Sequence, residues 1–391
     1  MAGYAVPGAE MTALRISGAT VLMDDAVVQA GIGIENGVFV DPSRGGTEIQ
    51  LPGWQVFPGI VDAHGDGFER HVAPRRGVLR DMASGIMTVE TELAANGITT
   101  AFLAQFWSWE GGMRGAEFAN GVLAAVDSVQ GRVATDLRVQ LRVETHLIDD
   151  FPEIAQVIRR HRIGYVVFND HLPHAALEKG KRPPRLTGQA LKSARNPETH
   201  LAIMQALHNR SAEVPAAVAA LAGQLTGQGV LTGSHDDGTQ QARQEARRLG
   251  LRVAEFPETE AAAAEALRAG EPVVLGAPNV VRGASHAGNV SAEALVRAGL
   301  CTALASDYHY PAPWQAALKL ADSIGIVAAW RLLSEGPAQM LGLTDRGRIA
   351  PGLRADLVAF NPATGRPGLT IAGGRITYAD MQGAAALLAA R

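Results

Sequence analysis

The sequence predicts an α/β protein, a (β/α)8 TIM-like barrel with a small β-sandwich built from both chain ends. Three observations carry this. Apolar strand-like runs alternate with Ala-, Leu-, Arg- and Glu-rich stretches through the middle of the chain, the pattern of parallel strands joined by helical crossovers. Both ends are instead rich in short strands and turns. Residues of metal-ligand type recur where the middle runs end, and the C-terminal strand ends of such a barrel form its catalytic face.

At the N-terminal end, Leu14-Arg15-Ile16, Thr20-Val21-Leu22, Val27-Val28 and Gly31-Ile32-Gly33-Ile34 read as short strands. Asn36-Gly37 follows, and Asn-Gly between apolar runs is a strong hairpin signal. At the other end, Gly347-Arg348-Ile349 leads into Pro351 through Phe360, and Leu369 through Ile376 reads as a second hairpin around Gly373-Gly374. Neither end holds enough apolar residues for a core alone. Residues 1–55 and 344–391 are therefore expected to pair into one sandwich, with 56–343 forming the barrel. The barrel strands are expected at 56–62, 99–103, 139–143, 163–168, 229–232, 272–275 and 302–305, and helices at 241–249, 260–269 and 314–333. Residues 171–215 read as a long insertion after one strand.

The composition narrows the function. Of 391 residues, 47% are hydrophobic and 19% charged, which argues against disorder. The net charge of −4 suggests neither nucleic acid nor a membrane surface as partner. One cysteine, Cys301, rules out an internal disulfide and a four-cysteine zinc site, so metal ligands must come from His, Asp and Glu. The first residues lack a basic stretch followed by an apolar core, and no long uncharged apolar run occurs. A cytoplasmic enzyme acting on a small anionic molecule is expected, as a homo-oligomer, a dimer.

The chemistry-bearing residues follow strand runs. Asp62-Ala63-His64-Gly65-Asp66 closes the first. His64 and Asp66 are two apart, so on an extended strand both face one side and can grip one ion. The alternative for this pair alone is a polar turn. Glu144 and His146 follow Leu141-Arg142-Val143; Asn169-Asp170-His171 follows Val167-Phe168; Ser234-His235-Asp236-Asp237 follows Leu231-Thr232; Ser306-Asp307 follows Leu304-Ala305. Imidazoles and carboxylates suit Zn²⁺, Mn²⁺ or Fe²⁺. Glu144 would bridge two ions or else pair with an arginine. Asp307 would accept the proton of a metal-activated water, or else cap a helix. Residues 276–289 read as a Gly-rich loop able to cradle phosphate, with Arg282 as a bidentate anion ligand. Arg75 and its neighbours after the first motif could serve the same substrate, whereas the basic run 179–185 reads as solvated surface.

Several of these segments together carry a resemblance. Pro58-Gly59-Ile60-Val61-Asp62-Ala63-His64 and Gly352-Leu353-Arg354-Ala355-Asp356-Leu357-Val358 resemble the two ends of an amidohydrolase-superfamily chain. His64-Gly65-Asp66, Asn169-Asp170-His171, Ser234-His235-Asp236-Asp237, Ala254-Glu255-Phe256-Pro257, the run 276–290 and Ala305-Ser306-Asp307-Tyr308 are similar to the PhnM family of phosphonate-metabolism diphosphatases. The resemblance implies one or two divalent ions, zinc by preference, held by His64, Asp66, Glu144, His171, His235 and Asp307, with Asp307 as catalytic acid/base. It implies substrate contacts from Arg282, Asn279, His286, Arg75 and Asp236, and cleavage of a phosphoanhydride in a ribosyl triphosphate. Gly67 through His71 and Tyr308 through Pro311 depart from the family pattern. Hydrolysis of a C–N bond, by ring opening or deamination, is the alternative; a non-catalytic binding protein on the same barrel is a third.

Overall fold

The computed structural model describes residues 13–44, 46–73, 81–283 and 290–390. Eight parallel strands form the central sheet, in chain order: β1 (Ile60–Gly65), β2 (Ile98–Trp107), β3 (Asp136–Glu144), β4 (Tyr165–Asn169), β5 (Leu231–His235), β6 (Val253–Glu255), β7 (Val273–Gly276) and β8 (Ala303–Ala305). Sequential order in a parallel sheet requires a crossover after every strand, and helices supply them. The first and last strands meet through a parallel bridge between Gly65 and Asp307. At the opposite end of this seam, the Val61 and Leu304 amides donate to the carbonyls of Leu333 and Leu332, each at 2.8 Å. The expected barrel is present.

Two further sheets are built as the end segments imply. One has four strands in the order Val38–Val40, Ile32–Glu35, Leu14–Ser17, Thr47–Gln50. The other mixes both ends: Arg375–Ala379, Arg366–Ala372, Leu357–Asn361, Gln55–Pro58, Thr20–Met23, Ala26–Gln29. Ile16, Ile34, Phe39 and Ile49 from the first sheet share a core with Val21, Val56, Leu357, Leu369 and Ile371 from the second. Strand alternation sends the intervening Leu22, Phe57, Val358 and Phe360 to the barrel side. Phe57 stacks on Trp330 at 4.3 Å, and the Trp330 indole donates to the Pro58 carbonyl at 3.0 Å.

The structure corrects three local expectations. The apolar run 56–62 is two strands, not one: Gln55–Pro58 joins the six-stranded sheet and Ile60–Gly65 the barrel. The break is at Gly59, where a Cβ would lie 2.3 Å from Thr99 Oγ1. The helical run 314–333 is also two elements, Ala312–Ile324 and Ile326–Arg331, divided by Gly325 at φ +80°. The start of the 276–289 loop is a helix, Ala277–Arg282. Pro278 sits in its first turn, Gly283 at φ +78° ends it, and residues 284–289 lie outside the described residues.

The two helices that flank β6, Gln240–Arg248 and Glu260–Arg268, begin with side-chain caps. Thr239 and Thr259 accept from the amides of Ala242 and Ala262. Thr239→Ala should lower the unfolding free energy by about 1 kcal/mol, measured by urea denaturation; a change below the error of that measurement would contradict the cap's role. Among the described residues no helix is long and apolar enough to cross a membrane.

Candidate metal and catalytic centre

Strands β3, β4, β5 and β6 end on the polar residues Glu144, Asn169, His235 and Glu255. Strand β1 carries a bulge: Asp62 pairs with Ala101 and Gly65 with Leu103, so Ala63 and His64 together face Phe102. Such an insertion re-aims a side chain, and bulges recur beside active sites. Across the seam, the Ser306 amide and hydroxyl donate to Asp62 at 2.9 and 2.5 Å. Gly65 must lack a side chain here, since a Cβ would lie 2.8 Å from Asp62 Oδ2 and 2.9 Å from Ser306 Oγ.

Asp236, Phe256 and Asp307, just beyond β5, β6 and β8, adopt left-handed backbone with φ of 60°, 53° and 55°. This conformation is uncommon outside glycine and costs on the order of 1–3 kcal/mol. Each amide is held by a carbonyl on the neighbouring strand or its end: Asp236 by Glu255 at 3.0 Å, Phe256 by Val274 at 2.9 Å, Asp307 by His64 at 2.9 Å. The chain thus leaves each strand abruptly while its last residue stays anchored, and three side chains are turned over the barrel mouth.

One ligand-type atom each from His64, Asp66 and Asp307 lies within 4.8 Å of the other two. The His64 ring is fully buried; its Nδ1 lies 3.1 Å from Glu255 Oε2, and its Nε2 has no hydrogen-bond partner. Burial pushes the Asp307 carboxyl up to about 6, against the pull of His64, and the Asp66 carboxylate pushes it further. An imidazole nitrogen without a partner beside two mutually repelling carboxylates is a place where a cation is favoured. This donor set fits a divalent ion.

A second layer lies beneath. Burial alone would raise Glu255, but His64 and His235 hold it well below the usual carboxylate range. His235 Nδ1 donates to Glu255 at 2.8 Å and its Nε2 accepts from Arg142 at 2.8 Å. Burial and the Arg142 charge push His235 down to about 3, so its ring is neutral. Arg142 also donates to Asn169 Oδ1 at 3.0 Å and lies 4.0 Å over the Phe106 ring. Glu144 takes a short contact from His171 Nδ1, and its Oε2 accepts from the His171 amide and the Trp109 indole, both at 3.2 Å. The His171 and His235 ring centres are 6.5 Å apart.

No family model matches the chain. It is 30% identical over 363 residues to the alpha-D-ribose 1-methylphosphonate 5-triphosphate diphosphatase of Escherichia coli (strain K12), covering 88% of this chain and 94% of that one. The chain belongs to this diphosphatase family. It is a hydrolase. Solved structures of the amidohydrolase superfamily share its fold at low identity. A triazine hydrolase variant matches with a TM-score of 0.64 at 12% identity, over 94% of this chain and 95% of that one. N-acetyl-D-glucosamine-6-phosphate deacetylase from Mycobacterium smegmatis matches with a TM-score of 0.59 at 16% identity, over 94% and 99%. A zinc-bound adenosine deaminase from Xanthomonas campestris matches with a TM-score of 0.53 at 13% identity, over 96% of each.

The structure brings His64, Asp66 and Asp307 into one donor group, and sets Glu144 and His171 as a pair on the same face, with His235 between them and Glu255. Asp307 is not a helix cap, because the following helix starts at Ala312. Asp236 lies half-exposed with an Oδ1 3.5 Å from His235 Nε2, and burial pushes its carboxyl up to about 6. Positions where a Cβ on Gly276 would sit are 3.6 Å from Asp307 Oδ2 and 3.7 Å from Asn279 Nδ2, so Asn279 flanks the centre. Arg282 is at the exposed mouth, where it donates to the Tyr308 hydroxyl. Arg75 and His286 lie outside the described residues. Lys179, Lys181, Arg182 and Arg185 are exposed, as solvated surface charge should be. Sequence reasoning missed Glu255 and Arg142 as parts of the centre. A carboxylate ending the segment Arg252-Val253-Ala254-Glu255, directly before Phe256, was the available signal for the first.

Proposed function

We propose that this diphosphatase-family hydrolase cleaves a phosphoanhydride of a phosphonate-bearing ribosyl triphosphate, releasing pyrophosphate, with zinc held by His64, Asp66 and Asp307. The observation supporting this reading is the convergence of those three side chains in a chain that aligns over 94% of a relative with that activity. A divalent ion in this donor set supplies Lewis acidity and makes water acidic enough to attack near neutral pH.

The remaining work falls to the chain. Asp307 takes the proton from the attacking water at a carboxylate oxygen and later returns it to the leaving phosphate. Glu255 fixes the His64 and His235 rings from below. Arg142, buried and braced by Asn169, is a permanent positive charge beside developing negative charge on phosphorus. Glu144 orients His171. Asn279 and Arg282 bind phosphate oxygens at the rim. Arg282→Ala should raise KM about tenfold to a hundredfold, the worth of one charge-assisted hydrogen bond, with kcat nearly unchanged; an unchanged KM would remove Arg282 from the substrate's path.

Phosphorus NMR of the reaction tests the function. Equal amounts of pyrophosphate and a ribosyl monophosphate are expected. Release of orthophosphate alone, or turnover of cyclic amides with ring-opened product or ammonia but none of the triphosphate, would overturn the proposal.

A further inference from the structure

A cluster of histidines stands apart from this centre, on the outer rim of the same barrel face. Asp170 directly follows β4 and His146 lies two residues beyond β3. His174 opens the helix His174–Leu177, and His208 ends the helix Pro197–His208, both in the inserted segment. His171 turns to Glu144, whereas its neighbour Asp170 turns to the histidines. His174 Nε2 lies 2.9 and 3.1 Å from the Asp170 carboxylate oxygens, and His146 Nδ1 lies 3.6 Å from Oδ1. One ligand-type atom each from His146, Asp170 and His174 lies within 4.8 Å of the others.

The hydrogen bonds place the proton of His146. The Ser211 hydroxyl donates its one hydrogen to the His208 carbonyl at 2.6 Å, so its oxygen accepts from His146 Nε2 at 3.1 Å. His146 Nδ1 therefore carries a lone pair; the Thr145 hydroxyl lies 3.1 Å from it and can donate to it, and Asp170 Oδ1 faces it at 3.6 Å. His174 Nδ1 is 2.7 Å from His208 Nδ1. A hydrogen donated there to His208 leaves the His174 Nε2 lone pair also facing Asp170. Ligating histidines commonly use their second nitrogen in this way. The separations of Asp170 from His174 and His146, 2.9 and 3.6 Å, lie on either side of the roughly 3.3 Å expected between ligands about 2.0 Å from a tetrahedral zinc ion, and all three donors lie within 4.8 Å of one another.

We propose that His146, Asp170 and His174 form a second site for a zinc-type transition ion, with His208 fixing the His174 tautomer. The ion ties the inserted helices to the strand ends of β3 and β4. It takes no part in the hydrolysis and does not depend on the reading of the central site.

The test compares the full-length wild type with a His146→Asn/His174→Gln double variant, each stripped, reloaded with Zn²⁺ and freed of excess. The double variant should retain one zinc equivalent fewer, with an unchanged circular dichroism spectrum. Zinc should also slow trypsin cleavage in the exposed run 179–185 at least fivefold in the wild type and not in the double variant. Asp66→Asn, which perturbs only the central site, should keep the zinc-dependent slowing. Equal zinc content in wild type and double variant, or cleavage insensitive to zinc in the wild type, would overturn the proposal. A double variant that loses its dichroism is replaced by single His174→Gln, at a partly exposed position, where the same two readouts apply.

Discussion

Asp307→Asn is expected to lower kcat by about 10²–10⁴-fold, the usual worth of a positioned acid/base group. The substitution keeps the side-chain shape and the backbone bonds that fix it. The Asp307 amide still donates to the His64 carbonyl, and its carbonyl still receives the Asp66 and Gly67 amides. The left-handed backbone is equally open to asparagine. What is lost is a carboxylate able to take and return a proton. The variant should therefore unfold at nearly the same urea concentration as the wild type and keep an ion at His64 and Asp66. Steady-state kinetics with parallel metal analysis checks this. Turnover within threefold of wild type would show that another group carries the proton.

Glu255→Gln is expected to act from beneath the centre, on ion affinity and stability together. Glu255 Oε2 takes His235 Nδ1 at 2.8 Å and lies 3.1 Å from His64 Nδ1, while Oε1 takes Gln140 Nε2 at 2.5 Å and Tyr165 Oη at 3.3 Å. His235, Gln140 and Tyr165 donate hydrogens, and His64 lies at ion-pair distance. An amide has only one oxygen, so its NH₂ must face donors on one side or the other. The change also removes the charge that balances a buried site. Loss of one partner from a buried charged network costs about 3–5 kcal/mol, and removing the group that orients a ligating histidine weakens metal binding about 10–100-fold. Urea unfolding and competition with a chromophoric chelator measure the two effects. Wild-type values in both would show that Glu255 is only filling space.

The barrel and the sandwich were legible because their strands are apolar runs bounded by turn residues, and the ligand-type residues stood out at the ends of those runs. Val253–Glu255 escaped because it is three residues long and follows Arg252, so no apolar run marks it; with it went Glu255. Arg142 was hidden for the opposite reason. It sits inside a long strand, where alternation makes a polar residue look like a solvent-facing one, whereas both faces of a barrel strand are covered. The division at Gly59 was invisible because residues on either side are equally apolar and both join buried sheets. Over 277–282 the Pro and Gly signals of a short helix were present, but they are also the signals of a loop. The grouping of His146 with His174 and His208 depends on how the inserted helices pack, which no local pattern encodes.

Removal of the ion tests the central claim most directly. Protein dialysed against a strong chelator, shown metal-free by elemental analysis and still folded by circular dichroism, should hydrolyse the ribosyl triphosphate at less than about one-hundredth of its original rate. One to two equivalents of Zn²⁺, Mn²⁺ or Fe²⁺ should restore it, in the wild type and in the His146→Asn/His174→Gln variant alike, but not in a His64→Ala/Asp66→Ala variant. Full turnover by metal-free protein, or full recovery without His64 and Asp66, would contradict the account.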